Sequence, residues 1–248
     1  MAIELTGAGD AARSMALLWR SPEKSAVRRG PRSSLDVGRI VAAASRIADA
    51  EGLAAVSMRR VAGDLGVPAM TLYSHVPGKG ELVDLMFDAA LGELYPDEQA
   101  PTAGNWRARV EAVARANRQF FLGHPWALSV GRPPPGPNRM RKYEIELRAV
   151  DGMGLSEVQM DLLVTLLDGF ARGAVGGASR PAGPAQGDQG PAESFAQQVV
   201  DRDRFPTAAR VTQAGESLPD AVASERSFEF GLERLLDGIG VLLLNPSR

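Results

Sequence analysis

Val56-Ser57-Met58-Arg59-Arg60-Val61-Ala62-Gly63-Asp64-Leu65-Gly66-Val67-Pro68-Ala69-Met70-Thr71-Leu72-Tyr73-Ser74-His75-Val76-Pro77-Gly78-Lys79 is the stretch on which the fold turns. Ser57 suits the N-cap of a short helix running through Leu65, with Val61, Ala62 and Leu65 on its inner face. Gly66 can close that helix in the left-handed conformation that a Cβ disfavours. Pro68 suits the first position of the next helix, which the sequence predicts over residues 69–76, about two turns, before Pro77, Gly78 and Gly80 interrupt it. Two short helices joined by a tight glycine-bearing turn, the second with polar groups outward, form the layout of a DNA-binding helix-turn-helix. The spacing by itself is shared by ordinary corners of helical bundles, so both readings stand at this point.

Working outward, the helical period is plain. Val37, Ile40, Val41, Ala44, Ile47 and Ala48 define a preceding helix of about four turns, with Ser34 as its expected cap and Gly52 as its end. After Gly80 an amphipathic helix is predicted to carry Leu82, Leu85, Met86, Ala89, Ala90 and Leu94 on one face and to stop near Pro96. A polar linker over 97–104 precedes a second domain. Helices are predicted there from Trp106 through Phe121, over 139–151, over 157–175, over 194–211 and over 224–244. Residues 176–191, rich in Gly, Pro and Ala, read as a surface loop. Residues 1–33 read as a flexible basic arm, irregular except for an apolar patch at Met15, Leu17, Leu18 and Trp19. Its cations are Arg20, Lys24, Arg28, Arg29 and Arg32.

Charge follows the same division. The net charge is −2, but residues 1–80 hold 11 Lys/Arg against 7 Asp/Glu, and the rest hold 17 against 23. A basic head on an acidic body suits a protein that offers one end to nucleic acid. The absence of cysteine removes disulfides, thiolate nucleophiles and thiolate metal sites. The longest apolar run, residues 239–244, is far short of the roughly 20 residues that a membrane span requires. No secretory signal is evident at the N-terminus, so a cytoplasmic protein without a membrane partner is expected.

The run from Val56 to Lys79 closely resembles the TetR family signature, in which a small-x-Arg-x-Val-Ala-x-x-Leu-Gly-Val helix leads into Thr-Leu-Tyr-x-His-Val and a lysine. Phe228-Glu229-Phe230-Gly231-Leu232-Glu233 resembles, more loosely, the closing helix of tetracycline-repressor C-terminal domains. The resemblance implies an all-α fold with a three-helix helix-turn-helix domain (34–80) and a larger C-terminal helical domain (81–248) for ligand binding and dimerisation. It implies a homodimer that binds double-stranded operator DNA and leaves it when a small-molecule effector binds. Ser57, Arg59, Arg60, Tyr73, His75 and Lys79 are the expected phosphate-contacting or reading-face residues. Ala69, Met70, Thr71 and Ser74 are the expected base readers, small or apolar enough to favour thymine methyl groups.

For the effector, Phe120, Phe121, Trp126, Leu128, Arg132, Tyr143, Glu146, Met160, Leu163, Leu167 and Phe170 mix aromatic and apolar surface with a few polar groups, as small-molecule pockets do. Gly131-Arg132-Pro133 resembles the Arg-Pro segment of tetracycline repressors, in which a histidine four residues before the arginine holds the drug's magnesium ion. Leu128 stands at that position, so neither a metal nor a cofactor is expected. Phe228, Leu232, Leu235, Leu236, Ile239 and Leu243 form a stripe suited to pairing across a two-fold axis. An enzyme is a poor alternative. No Ser-His-acid arrangement is visible, and Gly78-Lys79 lacks the first glycine and the Ser/Thr of a phosphate-binding loop.

Overall fold

The computed structural model describes residues 10–20, 35–97, 99–178, 204–215 and 220–244, and among them every regular element is helical. Helix α1 spans Ala11–Leu18, α2 Val37–Glu51, α3 Met58–Asp64, α4 Ala69–Tyr73 and α5 Lys79–Leu91. Then follow α6 (Trp106–Gly123), α7 (Pro137–Val150), α8 (Glu157–Ala178), α9 (Pro206–Gly215) and α10 (Asp220–Leu244). Short 3₁₀ turns lie at Leu53–Ala55 and Pro125–Ser129.

Helices α2, α3 and α4 form the reading head. The cap of α2 is Asp36, whose carboxylate accepts from the Arg39 N–H, and not the expected Ser34, which lies outside the described residues. Ser57 caps α3 by accepting from the Arg60 N–H at 3.2 Å, an interaction worth about 1 kcal/mol. Gly66 ends that helix at φ 67°, and the N–H groups of Gly66 and Val67 return to the carbonyls of Gly63 and Ala62. This paired closure turns the chain sharply into α4. Pro68 is the N-cap of α4 rather than its first residue, and α4 ends at Tyr73, three residues before the expected limit. Leu72 and Val76, both 0% exposed, pin α4 and the turn after it to the core.

Three expectations fail at the level of packing. Residues 11–18, read as part of an irregular arm, form α1, capped by Asp10 and packed on α5. Helix α5 is buried nearly all round, Glu81, Val83, Asp84, Phe87 and Asp88 included, because α1, α2 and α7 cover it from different sides. The stripe expected to pair across a two-fold axis lies largely inside one chain. Phe228, Leu232, Leu236 and Ile239 share a core with Val110, Val113, Ala149, Leu163, Val164 and Leu167. The outward groups of α10 are instead Phe230, Val241 and Leu244. Of the predicted helix over 194–211 and the loop over 176–191, residues 179–203 lie outside the described residues, whereas 176–178 continue α8.

The apolar interior has two parts. One joins the reading head to α5 and continues without a break into Phe120, Phe121, Trp126, Ala127, Val130, Ala171 and Val175. The other belongs to α6, α7, α8 and α10. Because the first core crosses residue 80, the reading head is mounted on the C-terminal body by packing as well as by chain connection.

Candidate DNA-reading face and ligand cavity

The outer side of α4 is shaped by what its inner side must bury. With Leu72 inward, Met70 (77% exposed) and Tyr73 (46% exposed) point to solvent, and Ser74 is exposed beside them. Ala69, Thr71, His75 and Lys79 are half-buried around this rim. The Ser74 hydroxyl donates to the Thr71 carbonyl at 2.7 Å, which leaves its oxygen as an acceptor. Arg59 and Arg60 are exposed on α3 and, with Ser57, Gly63 and Asp64, line a shallow depression. Arg60 pairs with Glu51 at 2.7 Å, but both side chains are about half exposed, so the pair contributes little and exchanges readily for a stronger anion.

Between the two cores lies a cavity of about 530 Å³, within the usual range for a small-molecule site. Phe87, Leu91, Phe120, Phe121, Leu128 and Val130 give it an apolar wall, and Arg139, Lys142, Tyr143, Glu146, Asp168 and Arg172 give it a polar one. Of the residues expected from sequence, Phe120, Phe121, Leu128, Tyr143 and Glu146 line this space. Trp126, Leu163 and Leu167 are core side chains, Met160 and Phe170 pack on the second core, and Arg132 is exposed.

The polar wall is a connected network. Glu146, 0% exposed, accepts from Asn117 Nδ2 at 2.6 Å, Lys142 Nζ at 2.9 Å and Tyr95 Oη at 3.0 Å. Lys142 also reaches Asp168 at 3.2 Å. Burial and the neighbouring Glu146 charge raise the Tyr95 phenol far above its ordinary range, so it stays protonated and donates to Glu146. The sequence reading did not single out Lys142, Asp168 or Arg172. The usable signal was their spacing, Lys142 to Glu146 and Asp168 to Arg172 at i, i+4.

One wall of the cavity is tied to the reading head. The Arg172 guanidinium donates to the carbonyls of Ala127, Leu128 and Val130 at 3.3 Å and lies over the Phe121 ring, 4.8 Å from its centre. It thereby fixes the 3₁₀ turn that presents Leu128 to the cavity. From the same turn Trp126 Nε1 donates to Asp49 Oδ1 of α2 at 2.6 Å, and His124 Nδ1 lies 2.9 Å from that oxygen. A single short turn therefore touches both the cavity and the first helix of the reading head.

Among the described residues, further open apolar side chains include groups on α8 and α10. Val158, Leu162 and Leu166, spaced by four residues, are 52–68% exposed along α8, and Phe230, Val241 and Leu244 are open on α10. Helices α8 and α10 pack on one another. Gly231 permits this, because an added Cβ would lie 2.6 Å from the Phe170 ring.

A three-helix reading head carried on a helical body with an internal cavity is the architecture of a one-component transcriptional regulator. The model of tetracyclin repressor-like C-terminal domains matches residues 98–243, and that of bacterial regulatory proteins of the tetR family matches residues 40–86. The chain belongs to the TetR family and is a ligand-responsive, DNA-binding transcriptional regulator. It is 37% identical to the HTH-type transcriptional repressor DrrR1 of Streptomyces coeruleorubidus, over 97% of this chain and 89% of that one. Among solved structures it is similar to the TetR family protein ActR of Streptomyces coelicolor in complex with actinorhodin. That match has a TM-score of 0.67 and 33% identity over 86% of this chain and 96% of that one. The complex of ActR with (S)-DNPA matches with a TM-score of 0.66 and 31% identity, over 87% and 100%. Among the described residues no helix is long and apolar enough to cross a membrane.

Proposed function

We propose that this protein is a homodimeric repressor of a two-fold symmetric operator, released when a flat, oxygenated aromatic molecule fills the cavity between its two cores. The observation that carries the reading is the turn at Pro125–Ser129, which presents Leu128 to the cavity and holds Asp49 of the reading head through Trp126. An effector entering against Phe120, Phe121 and Leu128 displaces that turn, and Asp49 with α2 follows. Two reading heads must sit about 34 Å apart to enter successive major-groove turns, so a modest tilt of each one opposes binding. The coupling is reciprocal, and typical values of roughly 1–3 kcal/mol change operator affinity about 5- to 150-fold.

The cavity's chemistry supports the effector class. Three phenylalanines suit a ring system, whereas Arg139, Lys142, Arg172 and Tyr143 offer donors to phenolic, quinone or carboxylate oxygens. ActR, which resembles this chain over most of its length, binds actinorhodin. Leu128 offers no metal ligand where tetracycline repressors carry their histidine, which favours an effector that needs no metal there.

At the reading face, Arg59, Arg60 and Lys79 contact phosphates, and Ala69, Met70, Thr71, Tyr73 and Ser74 face the major groove. Val158, Leu162 and Leu166 of α8, with Phe230, Val241 and Leu244 of α10, form the pairing surface. The test is a titration of purified protein with actinorhodin and a panel of smaller phenols and naphthoquinones. Trp126 fluorescence and retention of a selected operator fragment are followed together. A compound that quenches Trp126 and lowers operator affinity at least about fivefold supports the reading. Compounds that bind the cavity and leave operator affinity unchanged refute it.

A further inference from the structure

Helix α1 stands before the reading head in the chain, yet its partners are on the C-terminal body. Ser14, 0% exposed, donates its hydroxyl to Asp84 Oδ2 of α5 at 2.7 Å. The Asp10 N–H donates to Glu81 Oε1 at 3.2 Å, and Leu18 enters the core that unites reading head and body. Beyond the helix, Trp19 Nε1 donates to the Pro135 carbonyl at 2.9 Å. A helix of eight residues is too short to persist unaided, so α1 exists because it is docked.

The loop that receives Trp19 is the rim of the cavity. Gly131 and Pro133 line the cavity, as does Arg139, whose guanidinium donates to the Pro133 carbonyl. Asp88, one turn along α5 from Asp84, accepts from the N–H groups of Asn138 and Arg139 at 3.3 and 2.9 Å. At Gly136, between these points, an added Cβ would collide with the Asp88 carboxylate, so only glycine lets the loop backbone lie this close to α5. The rim is thus held by Arg139 on the cavity side and by Trp19 on the other.

From this geometry we infer that α1 is a strap that senses the cavity rim, so that an effector seated against Pro133 and Arg139 alters the docking of α1 and, through it, operator affinity. The inference rests on the cavity being the effector site. It makes α1 part of the sensing body rather than of a DNA-contacting arm.

The test uses the full chain and needs no effector. Arg139→Gln shortens the group that holds Pro133, and Trp19→Phe removes the bond to Pro135 while keeping a ring. Amide hydrogen exchange followed by mass spectrometry is expected to show α1 exchanging at least about threefold faster in Arg139→Gln, with the second core at Leu232 and Leu236 unchanged. On a selected operator fragment the two substitutions are expected to combine non-additively, by about threefold or more in Kd. Unchanged α1 exchange in Arg139→Gln, or effects on Kd that simply multiply, would overturn the strap while leaving the repressor reading intact. If α1 responds but no variant, nor the parent chain, binds any DNA selectively, the link between rim and α1 stands, whereas the repressor reading and the effect of α1 on operator affinity both fall.

Discussion

Trp126 Nε1 donates to Asp49 Oδ1 across 2.6 Å, joining a turn on the cavity wall to the first helix of the reading head, 77 residues earlier in the chain. The indole has little freedom to find another acceptor, since Trp126 is 3% exposed and its neighbour His124 faces the same carboxylate oxygen. Trp126→Phe keeps the apolar volume and deletes the bond. Hydrogen bonds to charged groups contribute about 1.5–3 kcal/mol, so urea unfolding is expected to show a loss near the lower figure, because Asp49 keeps His124. The functional effect should be larger in proportion, with operator affinity becoming insensitive to effectors that still bind. A variant that loses stability but keeps its full effector response would show that the signal travels by another route.

The pairing surface makes a second prediction. Leu162→Glu places a charge on the open face of α8, where Leu162 is 61% exposed. The expected outcome is a folded monomer by analytical ultracentrifugation at micromolar concentration, with helical circular dichroism retained. Leu232→Ala, by contrast, removes a side chain that is 2% exposed within one chain and is expected to cost about 2–5 kcal/mol. A dimer that survives Leu162→Glu would place the interface elsewhere.

Both results bear on what the sequence discloses. The turn between α3 and α4 was legible at Ser57 and Gly66, local signals whose physics does not depend on the rest of the molecule, whereas Pro68 is the cap of α4 and not its first residue. The stripe on α10 was legible as buried, but periodicity does not say by what, and α6 and α8 of the same chain fill that role. Helix α5 misled because Glu81, Asp84 and Asp88 look like a solvent face, and only tertiary partners, Ser14 and the start of α7, reveal why carboxylates lie there. The cavity was partly legible from its aromatic residues. Of its charged wall only Glu146 was singled out, since a paired lysine and a solvated one look identical in sequence.

Asp84 gives a pH prediction. Burial, helped by the nearby Glu81 charge, holds its carboxyl above the usual carboxylate range, against the opposing effect of the Ser14 hydrogen bond. A raised folded-state pKa favours the folded chain fully below the unfolded value of 3.8, and that contribution is lost as pH rises through the folded value. Asp84→Asn keeps an acceptor for Ser14 and removes the buried charge. Its Tm relative to the parent is therefore expected to improve as pH rises above about 4, levelling off once the folded carboxyl has ionised. A difference that does not change with pH would mean the Asp84 carboxyl titrates as if in solvent.

Glu146 is the acceptor for three donors, so its loss should be felt throughout the cavity. Glu146→Ala leaves Lys142 buried with Asp168 alone, strands Tyr95 and leaves Asn117 with only its bond to the Val113 carbonyl, at an expected cost of about 3–5 kcal/mol. Glu146→Gln, of the same shape, should cost visibly less in the same denaturant titration. Equal costs would indicate that packing volume, and not the network, is what the position supplies.

The most direct measurement is selection of binding sites for the purified protein from random and genomic DNA, repeated on the strongest site with Tyr73→Ala and Lys79→Ala. A reading face built from Met70, Thr71, Tyr73 and Ser74 on a paired molecule predicts a two-fold symmetric site, with affinity reduced at least about tenfold in each variant. Weak binding that is indifferent to sequence and unchanged by either substitution would contradict it, and would leave the helix-turn-helix as a scaffold beside a cavity with some other purpose.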